Sequence, residues 1–339
     1  VGLVSDSRLV SPGIVFLAYP GSIVDGRDFM VDAIQRGAAA IIYEAPCAQA
    51  ENLNASVPLI PVARLREYLG ELASCFYHAP STQLDTVAIT GTDGKTSCMD
   101  LLAQALASQH QRCGVMGTLG VGLWPDYQPT GMTTVDVVSM HRGCYELQQQ
   151  QAETLVLEAS SHALVQDRLD GMEIDVAVFT SFSRDHLDYH GAIEAYREAK
   201  KRLFSRKELQ WAIVNADDDA AAEMLSVAHP GVQCVGVSLK PDVMLASCQM
   251  INLIKFESQL DGALIYVKTP WGEGQVHLPL LGDFNITNAL LVMAVLGAWG
   301  WSFDQIKGAC RSLKPVRGRL QCLVESGLPT VIIDYAHTP

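Results

Sequence analysis

Three features are scarce in this chain of 339 residues: positive charge, closely spaced cysteine pairs and long apolar runs. Lysine and arginine number 24 against 37 acidic residues, and the net charge of −13 argues against nucleic-acid binding, which needs a basic surface. The nine cysteines include no C-x-x-C pair, so we expect neither a zinc site nor a disulfide framework, and a reducing cytoplasm as the compartment. No apolar run is as long as a membrane span and no signal peptide is visible, although the chain starts at Val1, so we expect no membrane insertion.

The chain is long and moderately apolar. At 49% hydrophobic and 18% charged residues, it can bury more than one core. Residues 1–83 predict a small N-terminal α/β domain. Residues 84–314 alternate strands with helices, which predicts a central, mostly parallel sheet with helices on both faces. Strands are predicted at 16–18, 40–43, 84–89, 154–157, 174–179, 211–214 and 330–333, and helices at 29–36, 65–77, 135–147, 192–204 and 286–299.

The segment Thr90–Ser97, TGTDGKTS, lies between a predicted strand and a predicted helix. Gly91 and Gly94 let backbone N–H groups turn toward phosphate oxygens, Lys95 supplies mobile positive charge, and the Thr96 hydroxyl can hold Mg²⁺. The spacing departs from G-x-x-x-x-G-K-[ST], because the first glycine comes two places late. A glycine turn that closes an ordinary βα unit is the alternative. The strand and helix on either side favour a phosphate-binding loop.

Acidic and polar groups follow two predicted strands. Open parallel sheets bind ligands at the carboxyl ends of their strands, so Glu158 should lie near Thr96, close enough to share a metal ion. A helix cap is the alternative for Glu158. The segment 183–191, SRDHLDYHG, is dense in groups able to ligate metal or hold a carboxylate. A solvated turn is an adequate alternative for Asp185, Asp188 and His190.

One lysine of the predicted helix 192–204 points inward. An apolar stripe is formed by Ile193, Tyr196, Leu203 and Phe204, and Lys200 lies on it. A partly buried lysine has its pKa lowered by desolvation, which supplies the neutral amine that can react with CO₂. Snorkelling of the ammonium group to solvent is the alternative.

Taken together, these motifs make the chain resemble the Mur ligases. The stretches that carry the resemblance occur in the family's order over nearly the whole chain; they are Asp6–Arg8 with Val24–Arg27, Gly91–Thr96, Glu158–His162, Ser183–Gly191, Ala199–Lys200, Asn285–Asn288, Gly318–Arg319 and Asp334–His337. Two positions depart from the family: Asp93 stands where Asn is usual, and Ser97 where Thr is common. The resemblance is to the member that adds the third amino acid, a diamino acid that we expect to be meso-2,6-diaminopimelate, to UDP-MurNAc-L-Ala-D-Glu.

The resemblance also implies the ligands and their residues. ATP, two Mg²⁺ ions and a CO₂-derived carbamate on Lys200 are implied, with Lys95, Glu158, His186 and Lys200 as catalytic residues. Metal ligands would be Thr96, Glu158, His186 and the carbamate of Lys200. ATP-binding residues would be Gly91, Thr92, Asp93, Gly94, Lys95, Thr96, Ser97, Asn285, Asn288, Arg319, Asp334 and His337. Residues that contact the UDP-MurNAc-peptide would be Ser5, Ser7, Ser22, Ile23, Val24, Thr133, Thr134, Ser160, Gln166 and Arg168.

Plain local explanations remain open for several of these residues. Ser7 could make a turn hydrogen bond, Thr133 could cap the helix predicted from 135, and Arg168 could be an ordinary surface charge. Capping is likewise the competing account for Asn285 and Asn288.

The resemblance implies three domains and one reaction. Residues 1–83 would bind the UDP end of the substrate, and residues 84–314 would bind ATP. Residues 315–339 would begin a Rossmann-like third domain that is mostly absent. The 339 residues alone should therefore be an inactive monomer. The γ-phosphoryl group of ATP would move to the D-Glu carboxylate, and the incoming amine would attack the acyl phosphate. The alternatives are another Mur or folylpolyglutamate synthase-like ligase, a P-loop NTPase of another class, or a non-catalytic nucleotide-binding module.

Overall fold

The computed structural model describes residues 2–21, 24–259, 261–323 and 331–335. The strands are β1 Gly2–Val4, β2 Ile14–Ala18, β3 Ala40–Ala45, β4 Leu59–Ala63, β5 Asp85–Thr90, β6 Cys113–Gly117, β7 Gly120–Leu123, β8 Asp126–Gln128, β9 Thr154–Glu158, β10 Val176–Phe179, β11 Trp211–Asn215, β12 Gln233–Ser238, β13 Gln249–Gln259, β14 Gly262–Thr269, β15 Gly272–Leu278, β16 Gln321–Leu323 and β17 Val331–Ile333. The α-helices are α1 Met30–Gln35, α2 Ala48–Glu51, α3 Leu69–Phe76, α4 Lys95–Ala107, α5 Val137–Gln149, α6 Ser161–Val165, α7 Leu187–His190, α8 Ile193–Phe204, α9 Ala221–Leu225, α10 Asp283–Ala298 and α11 Phe303–Arg311. None of the helices in these described ranges is long and apolar enough to span a membrane.

The chain divides into two units. The first consists of Val1–Gln83, Val135–Glu146 and Asp167–Met172; the second consists of Leu84–Thr134, Leu147–Gln166 and Glu173–Pro339. In the first unit β1 to β4 form a parallel sheet in chain order. Successive side chains of a strand face opposite sides of a sheet, so Phe16 packs in one apolar cluster with Met30 and Ile41, whereas Leu17 packs in the other with Leu65.

The second unit contains an eleven-stranded sheet in the order β15-β14-β13-β12-β11-β10-β5-β9-β6-β7-β8. From β6 to β13 neighbouring strands are parallel, which confirms the predicted α/β fold with its mostly parallel central sheet. The central strands are nearly continuous apolar runs because both of their faces are covered; Val87 and Ile89 of β5 are fully buried with Leu101 and Leu102 of α4. At its two ends the sheet is extended by antiparallel strands, which were not among the predicted strands.

The last predicted strand is confirmed as β17, which pairs antiparallel with β16 so that Ile333 lies opposite Gln321. One local prediction was wrong. The helix expected from residue 135 begins at Val137, and Thr133 does not cap it. Asp136 does, because its Oδ1 accepts hydrogen bonds from Val138 N and Ser139 N, each at 3.1 Å.

The structure also contains a disulfide bond, between Cys234 and Cys248, that the cysteine spacing did not indicate. Cys234 lies in β12 and Cys248 immediately precedes β13, which pairs with β12 so that Val235 is opposite Gln249. This register places the two Cα atoms 4.6 Å apart. The pairing therefore comes from strand register and not from a local cysteine motif.

A buried histidine joins two segments of the first unit. His141 of α5 is fully buried, and its Nε2 lies 2.8 Å from the backbone carbonyl of Asp170. Within the described residues its Nδ1 has no hydrogen-bond partner. Burial lowers the pKa of His141, and the Asp170 carbonyl opposes this shift. The neutral ring, which donates through Nε2, is therefore the form that this site stabilises.

We expect His141 to make the protein less stable as the pH falls below about 6.5, the ordinary pKa of histidine. Below that pH the imidazole of His141 is protonated in the unfolded chain but stays neutral in the folded one. The free energy of unfolding therefore decreases by at most about 1.4 kcal/mol per pH unit, until the pH reaches the lowered pKa of the folded state. The measurement is the free energy of unfolding in urea at several pH values between 8 and 5. Its dependence on pH should be weaker for His141→Gln, because glutamine can still donate a hydrogen bond but does not titrate. Equal slopes for the variant and the wild type would contradict this assignment.

Candidate functional site

A cavity of about 710 Å³ opens in the second unit, where several parallel strands reach their carboxyl ends. It brings together many residues that the sequence predicted for the site: Thr92, Asp93, Gly94, Lys95, Thr96, Ser97, Thr133, Glu158, His186, Asn288, Arg319 and Asp334. It is also lined by residues that were not predicted as site residues: Thr118, Thr180, Ser181, Asp185, Asn215, Phe284, Thr287 and Tyr335.

The loop between β5 and α4 requires glycine at two positions. Gly91 has a φ of 149°, and a Cβ atom there would overlap the Thr180 hydroxyl; Gly94 has a φ of 86°, and a Cβ atom there would lie 2.7 Å from Asn288 Oδ1. The loop leads into α4, whose N-terminal end carries unpaired N–H groups and partial positive charge. Lys95 Nζ folds back over the loop and donates to Gly91 O at 2.9 Å and to Thr92 O at 2.7 Å.

Glu158 ends β9 and is fully buried. The Thr96 hydroxyl donates to both of its carboxylate oxygens, at 3.0 and 3.1 Å, and Thr118 contributes two more donors. Burial raises the pKa of Glu158, and the positive charge of Lys95 is the largest effect that opposes this rise. The side chain of Ser160 caps α6, so the capping alternative for Glu158 is wrong.

Lys200 is buried, with 1% of its surface exposed, so the predicted inward orientation is confirmed and snorkelling is excluded. Its Nζ donates to Gly91 O at 2.8 Å, the carbonyl that Lys95 also contacts, and lies 4.2 Å from the centroid of the Tyr196 ring. Burial lowers the pKa of Lys200 well below its usual value, and the positive charge of Lys95 adds to this shift. Lys200 is not among the residues that line the cavity.

The segment after β10 places His186 at the cavity wall. Its backbone is left-handed, with a φ of 51°, and its Nε2 lies 3.3 Å from Asp185 Oδ2. The side chain is 47% exposed, which leaves it accessible to a ligand. His190 instead turns toward α6, with Nε2 3.0 Å from Ser161 Oγ.

The two asparagines of α10 differ in position. Asn288 lines the cavity, and its Oδ1 accepts a hydrogen bond from Cys98 Sγ at 3.3 Å. Asn285 is buried beside it, donates to Leu281 O at 2.8 Å, and accepts from Asn288 Nδ2 at 3.3 Å. Asn285 therefore supports Asn288 and the start of the helix and does not itself line the cavity.

Two of the predicted substrate contacts of the second unit, Thr134 and Ser160, lie close to Glu158. Thr134 Oγ1 donates to Glu158 O at 2.7 Å and lies 3.1 Å from Ser160 Oγ. Gln166 is exposed and donates to Tyr189 OH at 3.0 Å. Thr133 lines the cavity, and its Oγ1 lies 3.1 Å from Thr118 Oγ1.

Other predicted residues lie elsewhere. Ser5, Ser7, Val24 and Arg168 belong to the first unit, where Ser7 is buried and Val24 is 59% exposed. Val10 N donates to Ser7 O at 3.2 Å, a turn hydrogen bond of the kind considered for Ser7, although through its backbone. Ser22, Ile23 and His337 lie outside the described residues.

The donor set at the cavity wall fits one Mg²⁺ ion. Mg²⁺ takes hard oxygen ligands, usually one or two from protein side chains with phosphate and water completing the shell. The Thr96 hydroxyl and the Glu158 carboxylate, 3.0 Å apart, offer such ligands beside the phosphate loop. In the part of the chain that the structure describes, no three His, Cys, Asp or Glu side chains form a metal-binding group of their own.

A parallel-sheet fold with this loop and donor set defines a protein that binds nucleotide phosphates at the carboxyl ends of its strands. Comparison with known proteins narrows the class. Residues 1–77 match the family described as "Mur ligase family, catalytic domain", and residues 89–296 match "Mur ligase middle domain". The chain belongs to the Mur ligase family, as its motifs predicted.

Three similar proteins illustrate the relationship. The UDP-N-acetylmuramoyl-L-alanyl-D-glutamate--2,6-diaminopimelate ligase of Coxiella burnetii is 42% identical over 99% of this chain and 68% of its own length. A solved structure of a ligase with the same name has a TM-score of 0.82 at 32% identity, over 99% of this chain and 67% of that one. Folylpolyglutamate synthase of Mycobacterium tuberculosis, solved with ADP and AMPPCP, shares the fold with a TM-score of 0.62 at 18% identity, over 79% of this chain and 66% of its own.

Proposed function

We propose that this chain is the substrate- and ATP-binding part of a ligase that joins 2,6-diaminopimelate to UDP-MurNAc-L-Ala-D-Glu during peptidoglycan precursor synthesis. The single observation that carries the proposal is the similarity over 99% of the chain to ligases with that name. The cavity agrees with it, because its phosphate loop and buried carboxylate suit a reaction that moves a phosphoryl group between two anions.

Different residues of the cavity would carry different parts of the phosphoryl transfer. A carboxylate is a poor electrophile until it is phosphorylated, so ATP would supply the phosphoryl group that turns the D-Glu carboxylate into an acyl phosphate. Lys95 and the first N–H groups of α4 would offset the charge on the phosphates. Thr96 and Glu158 would hold Mg²⁺, which offsets further negative charge at the phosphates.

We further propose that Lys200 carries the carbamate that the family resemblance implies and that His186 joins it at a second Mg²⁺. The burial of Lys200 supports the first step, since a lowered pKa leaves more of the neutral amine that reacts with CO₂. The carbamate would have to turn from Gly91 O toward the cavity.

The relatives extend beyond the part that this chain matches, which covers 68% of the Coxiella burnetii protein. We propose that residues 315–339 begin a third domain after a hinge near residues 314–318, and that Arg319, Asp334 and His337 contribute to the ATP site. We propose that ligation also requires the part of the relatives that lies beyond the match. Location in the cytoplasm and a monomeric state stay predictions.

The first experiment measures phosphate release by the full-length protein with ATP, Mg²⁺ and UDP-MurNAc-L-Ala-D-Glu. Parallel reactions contain meso-diaminopimelate, L-lysine or no amine. Release that requires both the nucleotide-sugar peptide and meso-diaminopimelate is the expected result. Release that is indifferent to both would overturn the proposal and favour a nucleotide hydrolase, whereas a requirement for L-lysine would correct the amino acid.

A further inference from the structure

Thr118 was not predicted as a site residue, yet it donates two hydrogen bonds to the buried carboxylate of Glu158 in the cavity. Its backbone N donates to Glu158 Oε1 at 2.8 Å, and its Oγ1 donates to Glu158 Oε2 at 3.2 Å. The backbone N–H can only donate, so Oε1 is held as an acceptor. Thr118 thus contacts both oxygens of the carboxylate and restricts its rotation.

Strand pairing brings Thr118 to this place. It follows β6, which lies beside β9 in parallel register, with Met116 opposite Leu157. A Cβ atom at Gly117 would overlap the Glu158 carboxylate and lie 2.7 Å from Met99 Sδ, so the small residue before Thr118 leaves room for the carboxylate. The contact is therefore built into the edge of the sheet.

Thr118 also contacts a second hydroxyl. Its Oγ1 lies 3.1 Å from Thr133 Oγ1, and both threonines line the cavity. The Thr118 hydroxyl has one proton, and a carboxylate is the stronger acceptor. Thr118 is the donor in both contacts, so Thr133 competes with Glu158 for this one proton.

We propose that Thr118 is a positioning residue that orients the Glu158 carboxylate toward the cation site and links it to Thr133 on the substrate side of the cavity. The inference rests on the proposed function, in which Glu158 holds Mg²⁺ and Thr133 contacts the MurNAc-peptide. It deepens that function, because occupancy of the peptide side then affects the orientation of a metal ligand through two hydroxyl groups.

Binding of Mn²⁺, used as the probe for the cation site, tests the orientation without ligation. The 339-residue chain is titrated with Mn²⁺ in the presence of AMPPCP, and free Mn²⁺ is followed by electron paramagnetic resonance. Removing a hydrogen-bond partner of a metal ligand typically weakens metal affinity 10- to 100-fold, so we expect Thr118→Val to bind Mn²⁺ about tenfold more weakly. Thr118→Ser should stay within about threefold of the wild type.

The matched control is Thr82→Val, which removes an exposed threonine hydroxyl bonded only to the local Ala79 carbonyl and should not change Mn²⁺ affinity. Thr118 is itself exposed, so its variants should fold. Thr118→Val that binds Mn²⁺ like the wild type would overturn the proposal. Equal weakening by Thr118→Ser and Thr118→Val would overturn it as well, because the hydroxyl would then not be the cause.

The link to Thr133 is tested by a double-mutant cycle on the same Mn²⁺ affinity. Thr133→Val should strengthen Mn²⁺ binding a few-fold in the wild type, because the Thr118 hydroxyl then donates to Glu158 alone. It should have no effect in Thr118→Val, since residues in one hydrogen-bond network are not additive. Additive effects would overturn the link. Because these titrations involve no ligation, they decide the role of Thr118 even where the phosphate-release assay rejects the proposed reaction.

Discussion

Replacement of Lys95 by methionine is expected to lower substrate-dependent phosphate release by about 10²- to 10³-fold, the usual cost of removing one preorganised group that stabilises developing charge. Lys95 Nζ is held over the phosphate loop by Gly91 O and Thr92 O, in the wall of the cavity. Methionine has a stem of similar length but no charge. The measurement is kcat and KM for ATP in the full-length protein.

The control is Lys307→Met, which removes a lysine that pairs with Asp304 on the surface of α11 and should leave both constants within about twofold. A thermal midpoint of Lys95→Met near that of the wild type would show that the loss is chemical. Retention of more than a tenth of the wild-type kcat by Lys95→Met would contradict the assignment of this loop to the transferred phosphate.

Replacement of Lys200 by methionine is expected to reduce phosphate release by about 10²-fold, within the range that loss of a group supporting a metal ion can cost. The same change should preserve or raise the thermal midpoint. The amine of Lys200 is desolvated and hydrogen-bonds Gly91 O, and its stem lies among the buried residues Tyr196 and Leu203, so methionine fills the same apolar space without a desolvated amine. Loss of activity without loss of stability separates a functional lysine from a structural one.

The neighbouring Lys201→Met is the matched control, because Lys201 pairs with Glu198 on the outer side of the same helix. Its activity should stay within about twofold of the wild type. With ¹³C-bicarbonate, a carbamate carbon signal should be present in the wild type and in Lys201→Met and absent in Lys200→Met. A Lys200→Met enzyme with full activity, or a wild type that shows no carbamate signal, would reject the proposed modification.

Features that depend on spacing within a few residues could be predicted from the sequence. The phosphate loop required only the strand before it, the glycines within it and the helix after it. The inward lysine required only the apolar stripe of one helix, and Lys200 is indeed buried. Glu158 could be placed near Thr96 because the carboxyl ends of parallel strands lie along one edge of a sheet.

Features that depend on contacts between distant segments could not be predicted. The disulfide joins Cys234 to Cys248 through the register of β12 and β13, and the antiparallel strands at both ends of the large sheet follow from pairings that leave only weak local patterns. Helix α5 begins at Val137 because Asp136 caps it, although Thr133 was also a plausible cap in the sequence.

The sequence by itself determined the class of protein, the phosphate loop and the identity of the buried lysine and carboxylate, because local spacing and residue chemistry are enough for each. Only the tertiary structure decided what surrounds them. Lys95 and Lys200 share the carbonyl of Gly91 although 109 residues separate Lys200 from that glycine, and Thr118 reaches Glu158 across 40 residues. Such contacts arise from the order and register of the strands, in which residues far apart along the chain become neighbours at one edge of the sheet.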